Sequence, residues 1–113
     1  MSSSKVDPMV KAIAIEAFEA AAVATQKYLD ENPGQWYPCG FAWVKIKPAR
    51  GKLVSYLKEE KLGRTDEFEG GFSVWNPSGH ATQWMDAKRA GAVAFAEVLK
   101  KHGINAFAQT RID

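Results

Sequence analysis

Paired cysteine is missing from this chain of 113 residues: Cys39 stands alone. A single cysteine cannot close an internal disulfide, so a disulfide-stapled scaffold is excluded and a reducing, cytoplasmic setting is expected. No apolar run approaches the ~20 residues of a membrane helix. The opening "MSSSKVDP" has no apolar signal region. Histidine is scarce, with only His80 and His102, so a zinc site would have to recruit carboxylates, and no metal or other cofactor is expected. "ARGK" at 49–52 contains a Gly–Lys pair. It lacks the earlier glycine of a phosphate loop and the Ser or Thr after the lysine. A strong charge of either sign is missing too. The net charge of +2 is too small to mark a polyanion-binding domain, so local clustering matters more than the total.

What is present suits an ordinary folded domain. Hydrophobic residues are 46% and charged residues 25% of the chain, near the globular average and unlike a disordered or fibrous protein. The length suffices for one modest core. Residues 1–6 are expected to be a flexible tail and 7–113 a single globular α+β domain.

Asp7–Pro8 is a helix start, with Asp as cap and Pro in the first turn, where its missing N–H is not needed. Val10, Ile13, Ala14, Ala17, Ala21, Ala24 and Tyr28 then recur at helical spacing until "NPG" stops the pattern after about Glu31. "QWYPCG" reads as a loop. "GFAWVKIKP" alternates as a strand. "ARGKLVSYLKEEK" predicts a short helix with Leu53, Val54, Tyr56 and Leu57 inward and Gly63 as its stop. "GRTDEFEGG" is a charged, glycine-closed loop, "FSVWN" a second strand and "NPSG" a turn. A third helix is expected from near Thr82 to His102, with Gly103 after it and small residues that allow close approach to a sheet. "INAFAQTRI" is the third strand. The predicted order is α-β-α-β-α-β, with helices packed on a three-stranded sheet.

Alternation sorts the strand residues onto two faces. Ala42, Val44, Ile46, Phe72, Val74, Ala106, Ala108 and Ile112 form an apolar face suited to the helices. The other face collects Phe41, Trp43, Lys45, Lys47, Ser73, Trp75, Asn105, Phe107, Gln109 and Arg111, with Arg50 and Lys52 just beyond the first strand. Aromatic rings interleaved with cations are how open sheets hold single-stranded nucleic acid: bases stack and cations follow phosphates. Two plainer uses compete. The long first helix could cover this face, leaving the rings as core and the lysine tips at the edge, or a second copy could bury it as a dimer. The pattern lacks the aromatic-rich strand signature of an RNA-recognition motif, and the predicted element order differs from that module's.

Catalytic constellations are sparse. Ser78, His80 and Asp86 are the residue types of a hydrolytic triad, but "NPSG" is ordinary turn chemistry. Cys39 is a nucleophile only with a base beside it. Lys88 falls on the apolar stripe of the third helix with Trp84, Gly91, Ala92, Phe95 and Leu99; it either reaches past Trp84 to water or points into a pocket as an anion ligand or base. Ser78, His80, Trp84 and Lys88 are therefore a secondary candidate pocket. His102 fits a helix C-terminal cap.

The stretch "GFSVWNPSGHATQWMDAKRAGAVAFAEVLKKHG" and the earlier "GFAWVKIKPARGK" resemble small bacteriophage-encoded proteins. The resemblance carries no functional motif. It implies a host-cytoplasmic setting and a role in phage DNA metabolism or host takeover.

The leading expectation is a non-enzymatic binding module for single-stranded nucleic acid or another anionic ligand, through Phe41, Trp43, Lys45, Lys47, Arg50, Lys52, Trp75, Phe107 and Arg111. The alternative is a protein-interaction or self-assembling domain, a homodimer included, that uses the same face. A small hydrolase-like enzyme ranks third.

Overall fold

The computed structural model describes residues 7–33 and 38–113. The tail expected over 1–6, and the first half of the loop expected at "QWYPCG" (35–37), lie outside the described residues.

Among the described residues the chain forms three helices and a four-stranded antiparallel sheet. Helix α1 spans Pro8–Glu31. The Asp7 carboxylate accepts from the Met9 N–H at 2.9 Å, satisfying a donor that the helix itself leaves free. Val10, Ile13, Ala14, Ala17, Ala21 and Thr25 are its buried stripe. Thr25 takes the place expected for Ala24, because its hydroxyl donates to the Ala87 carbonyl at 2.7 Å. Helix α2, Lys52–Glu59, buries Leu53, Val54 and Leu57. It closes earlier than predicted, because Lys61 takes a positive φ of 58° and the Leu62 N–H returns to the Leu57 carbonyl at 2.9 Å. Helix α3, Met85–Lys101, begins three residues after the expected Thr82. Residues 83–85 instead run beside the chain entering the sheet: Gly40 N–H donates to the Gln83 carbonyl, Met85 N–H to that of Pro38.

The strands are β1 (Gly40–Ile46), β2 (Arg64–Thr65), β3 (Phe72–Trp75) and β4 (Ala106–Ile112). They lie in the order β2-β3-β1-β4, antiparallel throughout. This corrects two expectations, the three-stranded sheet and the α-β-α-β-α-β order. The missed strand, β2, has two residues, both exposed, so it carries no apolar alternation for a sequence pattern to detect. With it included, the chain after α1 runs β-α-β-β-α-β with the two sequence-distant strands β1 and β3 at the centre. That is the split β-α-β, ferredoxin-like arrangement.

The core lies on one side of the sheet. Ala42, Val44, Ile46, Phe72, Val74 and Ala106 form one cluster with the buried residues of all three helices. α3 packs on β1 and β4, and α1 packs chiefly on α3 and then α2. Phe18 of α1 meets Phe95 of α3 edge-on at 4.9 Å. Gly91 lets the two helices touch, because a Cβ there would come within 2.5 Å of the Thr25 hydroxyl and 3.0 Å of the Ala21 carbonyl. At the far end, Glu16 accepts hydrogen bonds from Lys101 and, at 3.0 Å, pairs with His102. The Lys101 hydrogen bond first, and His102 second, hold the Glu16 carboxyl below its usual range. α1 thus packs on the aliphatic side, and the expectation that it might cover the aromatic face is not met.

Candidate functional site

The strand register builds the second face as a grid. Trp43 stands opposite Trp75 on β3 and Gln109 on β4; Lys45 stands opposite Ser73 and Phe107; Phe41 stands opposite Arg111. Arg64 extends the Lys45 row through Ser73. Alternation over three strands therefore brings together the aromatic and basic residues that the sequence placed on one face.

The rings are held in place by their neighbours. Trp43 and Trp75 lie 4.8 Å apart with planes 30° from parallel. Phe41 approaches Trp75 edge-on at 6.1 Å. The Trp43 indole N–H donates to the Gln109 side-chain oxygen at 2.8 Å, which gives its one polar atom a partner and fixes the ring. Cations sit over the outer rings: Lys47 is 6.0 Å from Phe107, and Arg111 is 5.5 Å from Phe41, both within cation–π reach. Trp75 remains 44% exposed.

Lys45 departs from its expected role. Its side chain is only 1% exposed. Its ammonium donates to Asp66 Oδ2 at 2.6 Å and to the Gly70 carbonyl at 3.0 Å. A buried lysine is tolerated when paired in this way, but its charge is then spent inside the protein and cannot contact a ligand. What buries it is the 66–71 loop, which folds back over the sheet. Asp66 organises that loop: its Oδ1 accepts from the N–H groups of Phe68 and Glu69. The Lys45 hydrogen bond, then those two N–H groups, lower the Asp66 carboxyl from its ordinary 3.8 to about 2. Gly71 closes the loop with a φ of 82°, and a Cβ there would lie 2.7 Å from the Lys45 side chain.

Between this loop and the sheet runs a groove of about 580 Å³. Its floor is Trp43, Ser73 and Trp75. Arg64 and Arg111 border it, and the loop supplies Asp66, Glu67, Phe68 and Glu69. Phe68, at the loop tip, is fully exposed.

Other candidates lie elsewhere. Lys52 starts α2 and pairs with Asp7 at 3.5 Å, on the wall of a different groove with Val10 and Tyr56. Arg50 is exposed in the turn before it. Neither extends the aromatic grid. Each residue of the secondary candidate pocket has partners of its own. Lys88 donates to the Gly40 carbonyl at 2.9 Å and covers Phe41 at 5.4 Å. Trp84 stands opposite Cys39 in a single antiparallel bridge. Ser78 donates to Asn76, and the His80 ring accepts from the Thr82 N–H through Nδ1. These bonds shape the turn into α3 rather than linking serine to histidine as a triad requires. Among the described residues, the Cys39 thiol reaches the Gln83 amide oxygen, at 3.9 Å. Among the described residues no group of three or more His, Cys, Asp or Glu could hold a metal, and no helix is long and apolar enough to cross a membrane.

Arg64, Asp66 and Phe68 were missed as site residues. "GRTDEFEGG" reads as a surface loop, and the one signal it offers is an aspartate followed by a glycine pair, the makings of a tight, side-chain-capped turn. Compared with known protein families, curated proteins and solved structures, the chain matches none of them.

Proposed function

We propose that the aromatic face binds single-stranded nucleic acid, without catalysis. Trp75 and Trp43 serve as the stacking platform, while Lys47 and Arg111 contact phosphates. One observation carries this reading: the two central strands present facing tryptophans, one of them 44% exposed, on the side of the sheet away from the helices. Stacking of bases on aromatic residues of a four-stranded sheet is how RNA-recognition modules work. The shared strand order makes the comparison a fold-level analogy, and the site must bear it out. The lone cysteine is in keeping with a cytoplasmic setting.

Fluorescence anisotropy of labelled single-stranded RNA and DNA at low and moderate salt tests the proposal. Affinity should fall with salt. Trp75→Ala should lower it about tenfold, within the ~1–3 kcal/mol per stacked base seen at such platforms. A folded wild type that binds neither polymer at low salt would sink the idea.

A second reading rests on Phe68. A fully exposed phenylalanine beside carboxylates and arginines suits a protein partner or a second copy, since aromatic residues and Arg concentrate at interface centres. Light scattering of wild type and Phe68→Ser separates this case: a dimer lost in the variant favours it.

A further inference from the structure

The acidic wall of the groove is at odds with a surface that only follows phosphates. Glu67 and Glu69 line the same groove as Trp43 and Trp75. Asp66 is fully engaged, with Oδ2 on Lys45 and Oδ1 on two backbone N–H groups. Glu69 lies 3.9 Å from the Lys45 ammonium and is 69% exposed. Lys47 stands against Phe107 and Arg111 against Phe41, and Arg111 also borders the groove that the carboxylates line. The carboxylates rise on the β2–β3 side beside Trp75, with Arg64 at their foot.

A phosphate is repelled from that side. A base edge is not. An ionised carboxylate only accepts hydrogen bonds, so it pairs with an edge that donates. Cytosine presents its N4 amino group, adenine its N6 amino group, and carboxylates commonly accept from cytosine N4. Uracil and thymine present a carbonyl oxygen at the same ring position, so a carboxylate there faces an acceptor. A site that desolvates a hydrogen-bonding group discriminates against an analogue that leaves the group unpaired.

Resting on the nucleic-acid reading above, we infer that the 66–71 loop is a base-reading wall: Glu67 and Glu69 select bases with an exocyclic amino group, cytosine over uracil above all, while Lys47 and Arg111 hold the phosphates. Cytosine and uracil make the cleanest comparison. They have the same ring size and differ along one edge: cytosine carries the N4 amino donor beside an N3 acceptor, uracil the O4 acceptor beside an N3–H, and it is the exocyclic position that the carboxylates would read.

The experiment titrates the full chain with fluorescein-labelled oligocytidine and oligouridine of about eight nucleotides, a length within the site sizes of single-strand binders. Deoxycytidine and thymidine oligomers run alongside, at matched salt. Oligocytidine should bind roughly tenfold tighter than oligouridine, and the Glu67→Ala/Glu69→Ala protein should bring the two within about twofold, the size expected when a base-edge contact is removed. Oligouridine affinity should hold or rise in that variant, because two negative charges leave the groove. Circular dichroism confirms that the variant is folded; both side chains are exposed. Equal affinities for the two pyrimidines in the wild type, or a preference unchanged in the variant, would overturn the base-reading wall and leave the binding proposal standing. Absence of binding to every oligomer would overturn both.

Discussion

On one side of β1, Ala42, Val44 and Ile46 are at most 2% exposed and join the aliphatic side chains of the helices. On the other, Phe41 and Trp43 are only half-buried: Trp43 is fixed by Trp75 and Gln109 at its own level of the sheet, and Phe41 by Arg111 beside it, Trp75 one step along and Lys88 from α3. The first face is closed by elements distant in sequence, and what matters there is volume, since a packed interior tolerates neither gaps nor added atoms. The second face is held mostly by side chains on adjoining strands and by one loop. Trp43 and Trp75 keep their orientation through each other and Gln109, so they are available to a ligand at little cost to the fold.

That contrast is open to direct challenge. The largest loss of stability should come from the closed face. Phe95→Ala removes a ring with 0% exposure that meets Phe18 edge-on, and should cost about 4 kcal/mol by urea unfolding. Asp66→Asn should come next. Asparagine keeps the acceptor for the Phe68 and Glu69 N–H groups but leaves the buried Lys45 ammonium without its anion, an expensive state. Lys45→Met should be milder, because it removes the buried charge and leaves a carboxylate that water can reach.

Gly91→Ala should destabilise by about 2 kcal/mol, as overpacked cores do, by forcing α1 away from α3. Acid provides a subtler probe of the open face. The Asp66 carboxyl titrates near 2 in the folded protein against an ordinary 3.8, so the unfolded chain takes up its proton first as pH falls. The stabilisation is complete above the ordinary value and fades between there and about 2. Urea midpoints of wild type and Asp66→Asn, compared from about pH 6 downward, should therefore converge across that window. Curves that stay parallel would show that the ion pair contributes nothing. The smallest effect belongs to Trp75→Ala, under about 1 kcal/mol for a ring already 44% exposed, although the same change should abolish most binding.

The sheet faces were legible because alternation of two chemistries needs only the sequence: Val44, Val74 and Ala108 align on one side, and Trp43, Trp75 and Gln109 on the other. The fourth strand was not, because Arg64 and Thr65 are two exposed residues whose pairing follows from the loop that returns them to β3. Lys45 was misjudged for the same reason. Its position on the strand was legible, but its burial depends on a polar loop twenty-one residues away, and nothing in "TDEFEGG" announces where that loop will lie. The turn at 76–82 was legible locally: Ser78 and His80 satisfy backbone and neighbours within it, as "NPSG" suggests.

The Thr25–Ala87 hydrogen bond joins residues 62 positions apart, and the helix that carries Thr25 precedes every other element among the described residues. A ribosome making this protein releases α1 long before its main packing partner exists. Through the synthesis of the whole sheet except β4, the stripe from Val10 to Ala21 has no α3 to rest on. A nascent chain in that condition exposes apolar surface and invites aggregation or chaperone capture. The interval in which α1 waits for its partner is thus set by the order of the elements, before any ligand is met.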